Sequence, residues 1–265
     1  MSGATIRAAR TADAGDYARL CVELATDDPP PTPARIAPLI PRMQIAERDG
    51  VVVGYTVASV EAGLGYLRQI VVDPTARRTG LGRALFAAAA TRLRALGAAR
   101  LRLNVKEDNA AAIALYAQMG LRPDYRSAVL WMTHAARRAL PGSRTPLALF
   151  APGPADDAAI ERRFAMQRGA LAHFRASSDP ALAARPAGGG EAVAVMRFAA
   201  AFPGAYPFCA ASPAAARALL LDAEQQVPSV LRYGLVVERD EPLVTALQHA
   251  GATLRFHMLQ MEGPL

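Results

Sequence analysis

Cysteine is scarce in this 265-residue sequence, and its two copies, Cys21 and Cys209, lie far apart along the chain. Two isolated cysteines make neither a disulfide framework nor a C-x-x-C metal motif. The four histidines share no metal-ligand spacing either, so the sequence predicts no metal site. These absences favour a reducing, cytoplasmic location.

Long apolar runs are also missing from the sequence. Every apolar stretch is interrupted by Arg, Pro or Gly well before it reaches the length needed to cross a bilayer. The start of the chain lacks the apolar core of a signal peptide. We therefore expect a soluble protein, a monomer or homodimer, with no membrane partner.

Lysine is nearly absent, whereas arginine is abundant. Lys106 is the only lysine, yet the net charge is +7 and the pI is near 10. Because the arginines are scattered rather than gathered in one block, they suit a small polyanionic cofactor as well as nucleic acid. No specific nucleic acid is expected, but a basic nucleic-acid-binding protein stays open as an alternative.

Strands and helices alternate in the predicted secondary structure of the first half. Gln44 to Val72 predicts three consecutive antiparallel strands, with a hairpin turn at Asp49-Gly50. Gly80 to Leu96 has helical spacing, and Gly97 suits a C-terminal cap. A strand, a short helix and a last strand beginning at about Ser127 complete this half.

The second half repeats the order of elements at the end of the first. Residues 139–146 are rich in Arg, Pro, Gly and Ser and predict a linker. Aligning Gly120 with Gly251 superposes a strand, an acidic turn, a helix, a glycine and a strand, and places Tyr116 over Leu247. The second copy keeps the scaffold but has different polar groups.

The stretch RRTGLGRALF has the features of a phosphate-binding loop. Gly80 and Gly82 allow the backbone to approach an anion closely, and the helix that begins there favours negative charge. Arg77, Arg78 and Arg83 add cations that pair with phosphate oxygens. A P-loop would need a lysine here, and a Rossmann fingerprint would need a glycine in place of Leu85.

Two motifs together indicate a family. V-x-P-x-x-R-x-x-G-x-G runs from Val72 to Gly82, and N-x-x-A-x-x-L-Y-x-x-x-G runs from Asn109 to Gly120. In this order, and on these elements, they closely resemble the GCN5-related N-acetyltransferase (GNAT) superfamily. The resemblance covers about residues 4–138.

This resemblance implies an α/β protein of two tandem GNAT-like domains, each with a mixed, mostly antiparallel central sheet flanked by helices. Residues 4–138 would form the acetyl-CoA-binding domain, and residues 147–265 a degenerate, non-catalytic GNAT-like domain. The second half also resembles the C-terminal domain of two-domain acetyltransferases of the YitH/HolE type. The segment AYPFCAASPAAARALLL, which stands in the place of the cofactor loop, has no G-x-G, so we expect no CoA there.

The resemblance also implies the residues of a site. The pyrophosphate of acetyl-CoA would lie on backbone amides from Arg78 to Arg83, and the cofactor arm would contact Asn109 and the preceding strand. Tyr116 would lie near the sulfur and act as the general acid. The expected cofactor-binding residues are Ile70, Val71, Val72, Arg77, Arg78, Thr79, Gly80, Leu81, Gly82, Arg83 and Asn109.

The expected reaction moves an acetyl group from acetyl-CoA directly to the primary amine of a small-molecule acceptor in a ternary complex. An amine with a pKa of about 10 is mostly protonated at pH 7, so a base must take a proton. Histone-modifying members have a glutamate where this sequence has Tyr66. Tyr66 with an ordered water and Glu61 are the two candidates, and a non-catalytic acyl-CoA sensor is the alternative function.

Overall fold

The computed structural model describes residues 3–26, 31–200 and 203–265. The chain divides into two compact units. The first unit comprises the chain up to Val105, together with Asn109–Asp124 and Gln260–Leu265, and the second comprises Lys106–Asp108 and Tyr125–Leu259.

The first unit is built on a sheet whose order begins β1-β2-β3-β4-β5, and the end of β12 follows β5. Its strands are β1 (Thr5–Ala8), β2 (Met43–Arg48), β3 (Val51–Glu61), β4 (Leu64–Val72) and β5 (Arg100–Lys106), and its helices are α1 (Ala14–Leu20), α2 (Pro33–Ile36), α3 (Leu81–Ala95) and α4 (Ala110–Gln118). Two long strands, β6 (Arg122–Thr133) and β12 (Thr253–Pro264), contribute residues to both units.

Strands β2, β3 and β4 form the antiparallel meander that the sequence predicts, so this prediction is confirmed. Asp49 and Gly50 turn between β2 and β3 with φ of +51° and +79°. Both angles are in the left-handed region that a tight hairpin turn requires.

Apolar cores cover both faces of this sheet. On one face, Val71 and Tyr55 are buried with side chains of α1 and α2. On the other face, Ile70 and Val72 pack towards Leu85 of α3. Alternate residues of β4 therefore serve opposite cores, as the pleat of a strand requires.

The second unit has a similar mixture of strands and helices. Strands β7 to β10 are joined antiparallel, β10 pairs with β11 in parallel, and β11 pairs antiparallel with β6. The elements are α5 (His134–Ala139), β7 (Leu147–Phe150), α6 (Asp157–Arg163), α7 (Ala170–Arg175), β8 (Ala181–Pro186), β9 (Ala194–Ala199), β10 (Gly204–Ala210), α8 (Pro213–Gln226), β11 (Arg232–Glu238) and α9 (Glu241–His249).

The compact units have other limits than the predicted domains, 4–138 and 147–265, and the domain division itself stays a prediction. Residues 125–138 belong to the second unit, and residues 260–265 belong to the first. The cause is visible in β6, which starts at Arg122 rather than near Ser127, and whose Leu130 and Met132 are buried in the core of the second unit. Leu140 is buried in that core too, so the predicted linker is already packed at its start.

Candidate active site

A loop from Asp73 to Gly80 connects β4 to α3. The carboxylate of Asp73 accepts hydrogen bonds from the Thr75 hydroxyl at 2.6 Å and from the Thr75 N–H at 3.0 Å. These bonds, with a further one from Arg19, lower the pKa of Asp73 below its usual value. The loop therefore starts from a fixed, charged anchor.

The loop ends in two left-handed residues, Arg78 with φ of +64° and Gly80 with φ of +84°. Gly80 is the N-cap of α3 and has no side chain to satisfy the first N–H groups of the helix. The first helical bond runs from Ala84 N to Gly80 O at 3.1 Å. Leu81, Gly82 and Arg83 therefore present N–H groups without a backbone acceptor among the described residues, which suits an anion.

The two sequence motifs meet at the first turn of α3. A Cβ atom at Gly82 would lie 3.4 Å from Cδ2 of Leu115 in α4. Arg83 Nη2 donates to Gln118 Oε1 at 2.6 Å, so its guanidinium links α3 to α4. Because α4 carries both Asn109 and Tyr116 close to this turn, the fold brings together the parts that the motifs predict.

Arg77 has contacts that the sequence did not indicate. Its Nε donates to Val72 O at 3.1 Å, and its Nη2 pairs with Glu23 at 2.5 Å. These contacts hold the guanidinium at the end of β4. Thr79 is also engaged, because its hydroxyl donates to Ala76 O at 2.7 Å.

Strands β4 and β5 form a fork. Their parallel pairing covers Gly65 to Leu67 of β4 and ends at the pair Leu67 and Leu103, although β4 continues to Val72. A register shift on the β3 side falls at the same point of β4, between Leu67 and Gln69. Beyond this point, called here the fork apex, β4 has an edge that faces no strand in the described structure.

The hydrogen bonds to β3 decide which groups of β4 face the fork. Asp73 N donates to Val53 O at 2.9 Å, and Val71 lies opposite Tyr55. In an antiparallel pair, bonding alternates along the strand, so Val71 directs its backbone groups to β3. Ile70 and Val72 therefore direct theirs into the fork. The expected backbone role thus fits Ile70 and Val72, whereas Val71 is 4% exposed and serves the core.

Tyr116 and Asn109 are the expected side chains of α4. Tyr116 is buried, with its ring centroid 6.1 Å from that of Phe86, and burial raises the pKa of its hydroxyl. The hydroxyl therefore keeps its proton at neutral pH, as a proton donor must, although the higher pKa makes it a weaker acid. Asn109 Oδ1 accepts from Ala112 N at 3.1 Å as the helix cap, and the residue is exposed.

The two candidate bases lie on the α1 side of the sheet. Tyr66 stands next to Arg102 in register at the fork, and burial raises its pKa despite the nearby guanidinium. Glu61 accepts a hydrogen bond from Ser59 at 3.2 Å and forms an ion pair with Arg68. Tyr66 is therefore an uncharged side chain beside the fork. The carboxylate of Glu61 is paired with the guanidinium of Arg68.

Two residues near the site escaped the sequence analysis. Arg48 at the end of β2 reaches the loop between β4 and α3, with Nη2 3.5 Å from Thr79 Oγ1. Glu262, from the end of β12, accepts Nε and Nη2 of Arg102 at 2.9 and 2.7 Å. Neither belongs to a motif, and only strand pairing brings them to the site.

The first unit fits acetyl-CoA on these observations. The open N-terminus of α3 and the left-handed loop offer donors to a pyrophosphate, and the free edge of β4 offers groups to an extended amide-containing arm. Arg78, Thr79 and Arg83 line the loop, and Tyr116 lies one helix away. The structure brings these residues together, and their contact with acetyl-CoA stays a prediction.

The second unit has a similar separation of two parallel strands, but it lacks an open helix N-terminus beside it. Among the described residues, the parallel pairing of β10 with β11 covers Gly204 and Ala205, although β10 continues to Ala210. However, α8 follows almost at once, and Ser212 caps it by accepting Ala215 N at 3.2 Å. The capped helix offers fewer free donors to an anion, and the expected absence of CoA from this unit stays a prediction.

Two general features concern the whole described chain. The described residues contain no group of three or more His, Cys, Asp or Glu side chains placed to hold a metal ion. Among the helices of those residues, none combines the length and apolar character needed to span a bilayer.

Known structures of similar fold include a tandem protein. A GCN5-related N-acetyltransferase from Sphaerobacter thermophilus is similar with a TM-score of 0.67 and 18% identity, over 98% of this chain and 95% of the other. A tandem GNAT protein from the clavulanic acid biosynthesis pathway gives a TM-score of 0.66 and 15% identity, over 98% of both chains. At these identities, the likeness shows the shared fold.

Sequence comparison relates part of the first half to known acetyltransferases. Mycothiol acetyltransferase of Thermobispora bispora is 40% identical over 83 residues, which are 29% of this chain and 28% of that protein. The [ribosomal protein bS18]-alanine N-acetyltransferase of Escherichia coli K12 is 40% identical over 73 residues, 28% of this chain and 49% of that protein. The chain thus matches less than half the length of these relatives. Residues 18–121 match the model of the acetyltransferase (GNAT) family.

Proposed function

We propose that this protein is an acetyl-CoA-dependent N-acyltransferase that transfers an acetyl group directly to the primary amine of a small molecule. One observation carries the proposal. The uncapped N-terminus of α3 and the free edge of β4 adjoin each other through one loop, as a pyrophosphate followed by an extended arm would require.

Bound acetyl-CoA would supply an activated thioester. The N–H groups of Ile70 and Val72 face the fork and are the available donors for its carbonyl oxygen. Tyr116 keeps its proton at neutral pH and would give it to the departing sulfur. Asn109 retains an exposed amide beside the helix start and would contact the arm.

The acceptor is an amine that reaches the fork from the α1 side of the sheet, where Tyr66 and Glu61 lie. The names of the two relatives give mycothiol and the alanine of a ribosomal protein, so they differ in their acceptors. A small-molecule acceptor is the expectation from the sequence.

Direct transfer needs no acyl-enzyme. Cys209 belongs to the second unit, and Cys21 follows α1, where its thiol donates to Ala18 O at 3.2 Å. Neither cysteine lies on the loop, on α4 or on the free edge of β4. The amine and acetyl-CoA would therefore have to be bound together.

The test combines binding with turnover. Calorimetric titration measures acetyl-CoA affinity, and thiol release is followed with polyamines, amino-acid amides, aminosugars and short peptides as acceptors. We expect tight acetyl-CoA binding, turnover with at least one amine, and intersecting initial-rate lines. Parallel lines would contradict direct transfer. Binding without turnover on every amine would favour the acyl-CoA sensor, and DNA retention at physiological salt would favour a nucleic-acid-binding protein.

A further inference from the structure

Tyr66 and Arg102 lie side by side at the fork apex. They are register partners in β4 and β5, one pair before the strands separate. Arg102 Nη1 donates to the Tyr66 hydroxyl at 3.5 Å, and its guanidinium carbon is 5.9 Å from the Tyr66 ring centroid. The tyrosine that replaces the usual glutamate of the histone-modifying branch is thus in contact with a cation.

Arg102 is held in place by Glu262. Nε and Nη2 of Arg102 both donate to Glu262 Oε2, at 2.9 and 2.7 Å, while Arg100 Nε donates to Oε1 at 2.7 Å. The side chains of Arg102 and Glu262 are only 17% and 14% exposed, so solvent screens the pair weakly. A two-pronged contact of this kind fixes the plane of the guanidinium.

The end of β12 carries Glu262 into the first unit and is itself firmly placed. Leu265 N donates to Ala99 O at 3.0 Å, and Met261 is fully buried. Gly263 passes so close to Gly120 that a Cβ atom would be 2.7 Å from the Gly120 carbonyl oxygen. The position of Glu262 is therefore set by backbone packing.

The phosphate-binding end of the site and the fork apex lie at opposite ends of the free edge of β4. The open helix N-terminus follows Val72, whereas Tyr66 precedes the point where β4 and β5 separate. A donor molecule anchored at the loop and extended along this edge directs its far end to the apex. The reacting groups are then expected on the Tyr66 side of the fork.

We propose that Tyr66 contacts the acceptor amine through its hydroxyl, and that Glu262 and Arg102 are positioning residues that orient this hydroxyl. The proposal rests on the proposed acetyltransferase function. Arg102 donates to the phenol oxygen, so the phenol O–H can point away from Arg102 and donate to another group. Arg68, with its guanidinium carbon 4.8 Å from the same ring, and Glu61 are the other charged groups facing Tyr66.

Arg100 provides a matched control, because it pairs with the same carboxylate but makes no hydrogen bond to Tyr66. The variants are Arg102→Gln, Arg100→Gln and Glu262→Gln, each also in a Tyr66→Phe background. We expect Arg102→Gln and Glu262→Gln to lower kcat about tenfold or more and to raise KM for the best amine of the panel. Acetyl-CoA affinity should change less than about twofold, and Arg100→Gln should leave kcat within that range.

The Tyr66→Phe background separates positioning from simple stabilisation. If Arg102 acts through Tyr66, its substitution should cause no further loss of kcat once the hydroxyl is gone. A readout independent of turnover is ¹³Cζ-tyrosine NMR, assigned with Tyr66→Phe. Loss of the nearby cation should move the Tyr66 titration to higher pH in Arg102→Gln but not in Arg100→Gln.

The outcomes distinguish the inference from the proposed function. Turnover by the wild type with equal effects of Arg102→Gln and Arg100→Gln would overturn the inference alone. Additive losses in the Tyr66→Phe background would also overturn it. Acetyl-CoA binding without turnover on any amine would overturn the proposed function and the inference together. Melting temperatures of all variants show whether lost activity follows lost folding.

Discussion

Gly80 and Gly50 have nearly the same backbone conformation, with φ of +84° and +79°. At neither position does any described atom lie within 4 Å of the place that a Cβ atom would occupy. The two glycines therefore carry the same conformational strain on substitution and differ in location. Gly50 turns a surface hairpin, whereas Gly80 begins the helix of the proposed phosphate site.

Gly80→Ala should weaken acetyl-CoA binding, and Gly50→Ala should not. Each alanine would adopt a left-handed conformation at a cost of about 1 to 2 kcal/mol, so both variants should lose similar stability. Only the methyl group at position 80 would hinder an anion that approaches the first N–H groups of α3. Loss of one charge-assisted hydrogen bond corresponds to about tenfold or more in Kd.

Calorimetric titration and thermal melting of the two glycine variants check this prediction. A common fall in melting temperature with a raised Kd only for Gly80→Ala is the expected pattern. Equal acetyl-CoA affinity in the wild type and both variants would remove the α3 terminus from the proposed site.

Tyr116→Phe should lower kcat while leaving acetyl-CoA affinity and stability nearly unchanged. The Tyr116 hydroxyl makes no hydrogen bond to the described residues, so its removal leaves no buried group unpaired. A thiol with a pKa of about 8.5 leaves fairly well without help, so the loss should lie at or below about 10²-fold, the low end for general acid catalysis. Steady-state kinetics and calorimetry measure both quantities.

The pH dependence of stability adds a second check on Tyr116. Because burial raises its folded-state pKa, the tyrosine contributes stability below its unfolded pKa, and this contribution is lost as pH rises above about 10. As the pH rises from neutral to above about 10, the free energy of unfolding should therefore fall less for Tyr116→Phe than for the wild type. An identical alkaline decline in the two proteins would show that the hydroxyl is solvated in the native state.

Local sequence patterns predicted the loop and the meander well. The motif from Val72 to Gly82 is contiguous, and its glycines act through local backbone geometry, so its pattern contains much of the structural information. The Asp49-Gly50 turn likewise sets the pairing of β2 with β3. The structure adds which residues of β4 direct their backbone groups to β3 and which direct them into the fork. This alternation separates Val71 from Ile70 and Val72, and it depends on where β4 shifts its register.

Long-range pairing was beyond the sequence analysis. Glu262 is 160 residues from Arg102, and nothing in the local pattern around either residue indicates their contact. The limits of the two compact units depend on such long-range contacts too. The composition of residues 139–146 marks a loop, but it does not indicate which core receives Leu130 or Met261.

Cys209 should be chemically inert in the folded protein. Burial, with smaller contributions from Glu238 and Asp240, raises the pKa of its thiol to about 12. At pH 8 its thiolate fraction, and hence its alkylation rate, should be about 10²-fold or more below that of an unfolded cysteine. Iodoacetamide labelling of Cys21→Ser, with and without urea, measures this ratio; equal rates would contradict the prediction. A variant with both cysteines replaced should keep its acetyl-transfer activity.

Asp13 should stabilise the first unit at neutral pH. Its carboxylate accepts Nη1 and Nη2 of Arg7, both at 2.8 Å, and Arg10 N at 2.6 Å. The Arg7 hydrogen bonds are the main cause of a pKa below 3.8, and Asp13 is only 5% exposed. Because Arg7 is partly exposed and keeps a bond to Glu47, Asp13→Asn should cost about 2 kcal/mol, less than loss of a fully buried pair.

The sign of the pH dependence follows from the lowered pKa. A carboxylate that is more acidic in the folded state contributes stability above its unfolded pKa, and this contribution is lost as pH falls through the folded value. The difference in unfolding free energy between wild type and Asp13→Asn should therefore be full at pH 7 and shrink below about pH 4. Asp16→Asn is the matched control, because Asp16 forms an exposed pair with Arg19 and exposed pairs contribute little. Urea unfolding of the three proteins at both pH values measures this difference in unfolding free energy. A difference that stays constant on acidification would mean that Asp13 acts through its shape rather than its charge.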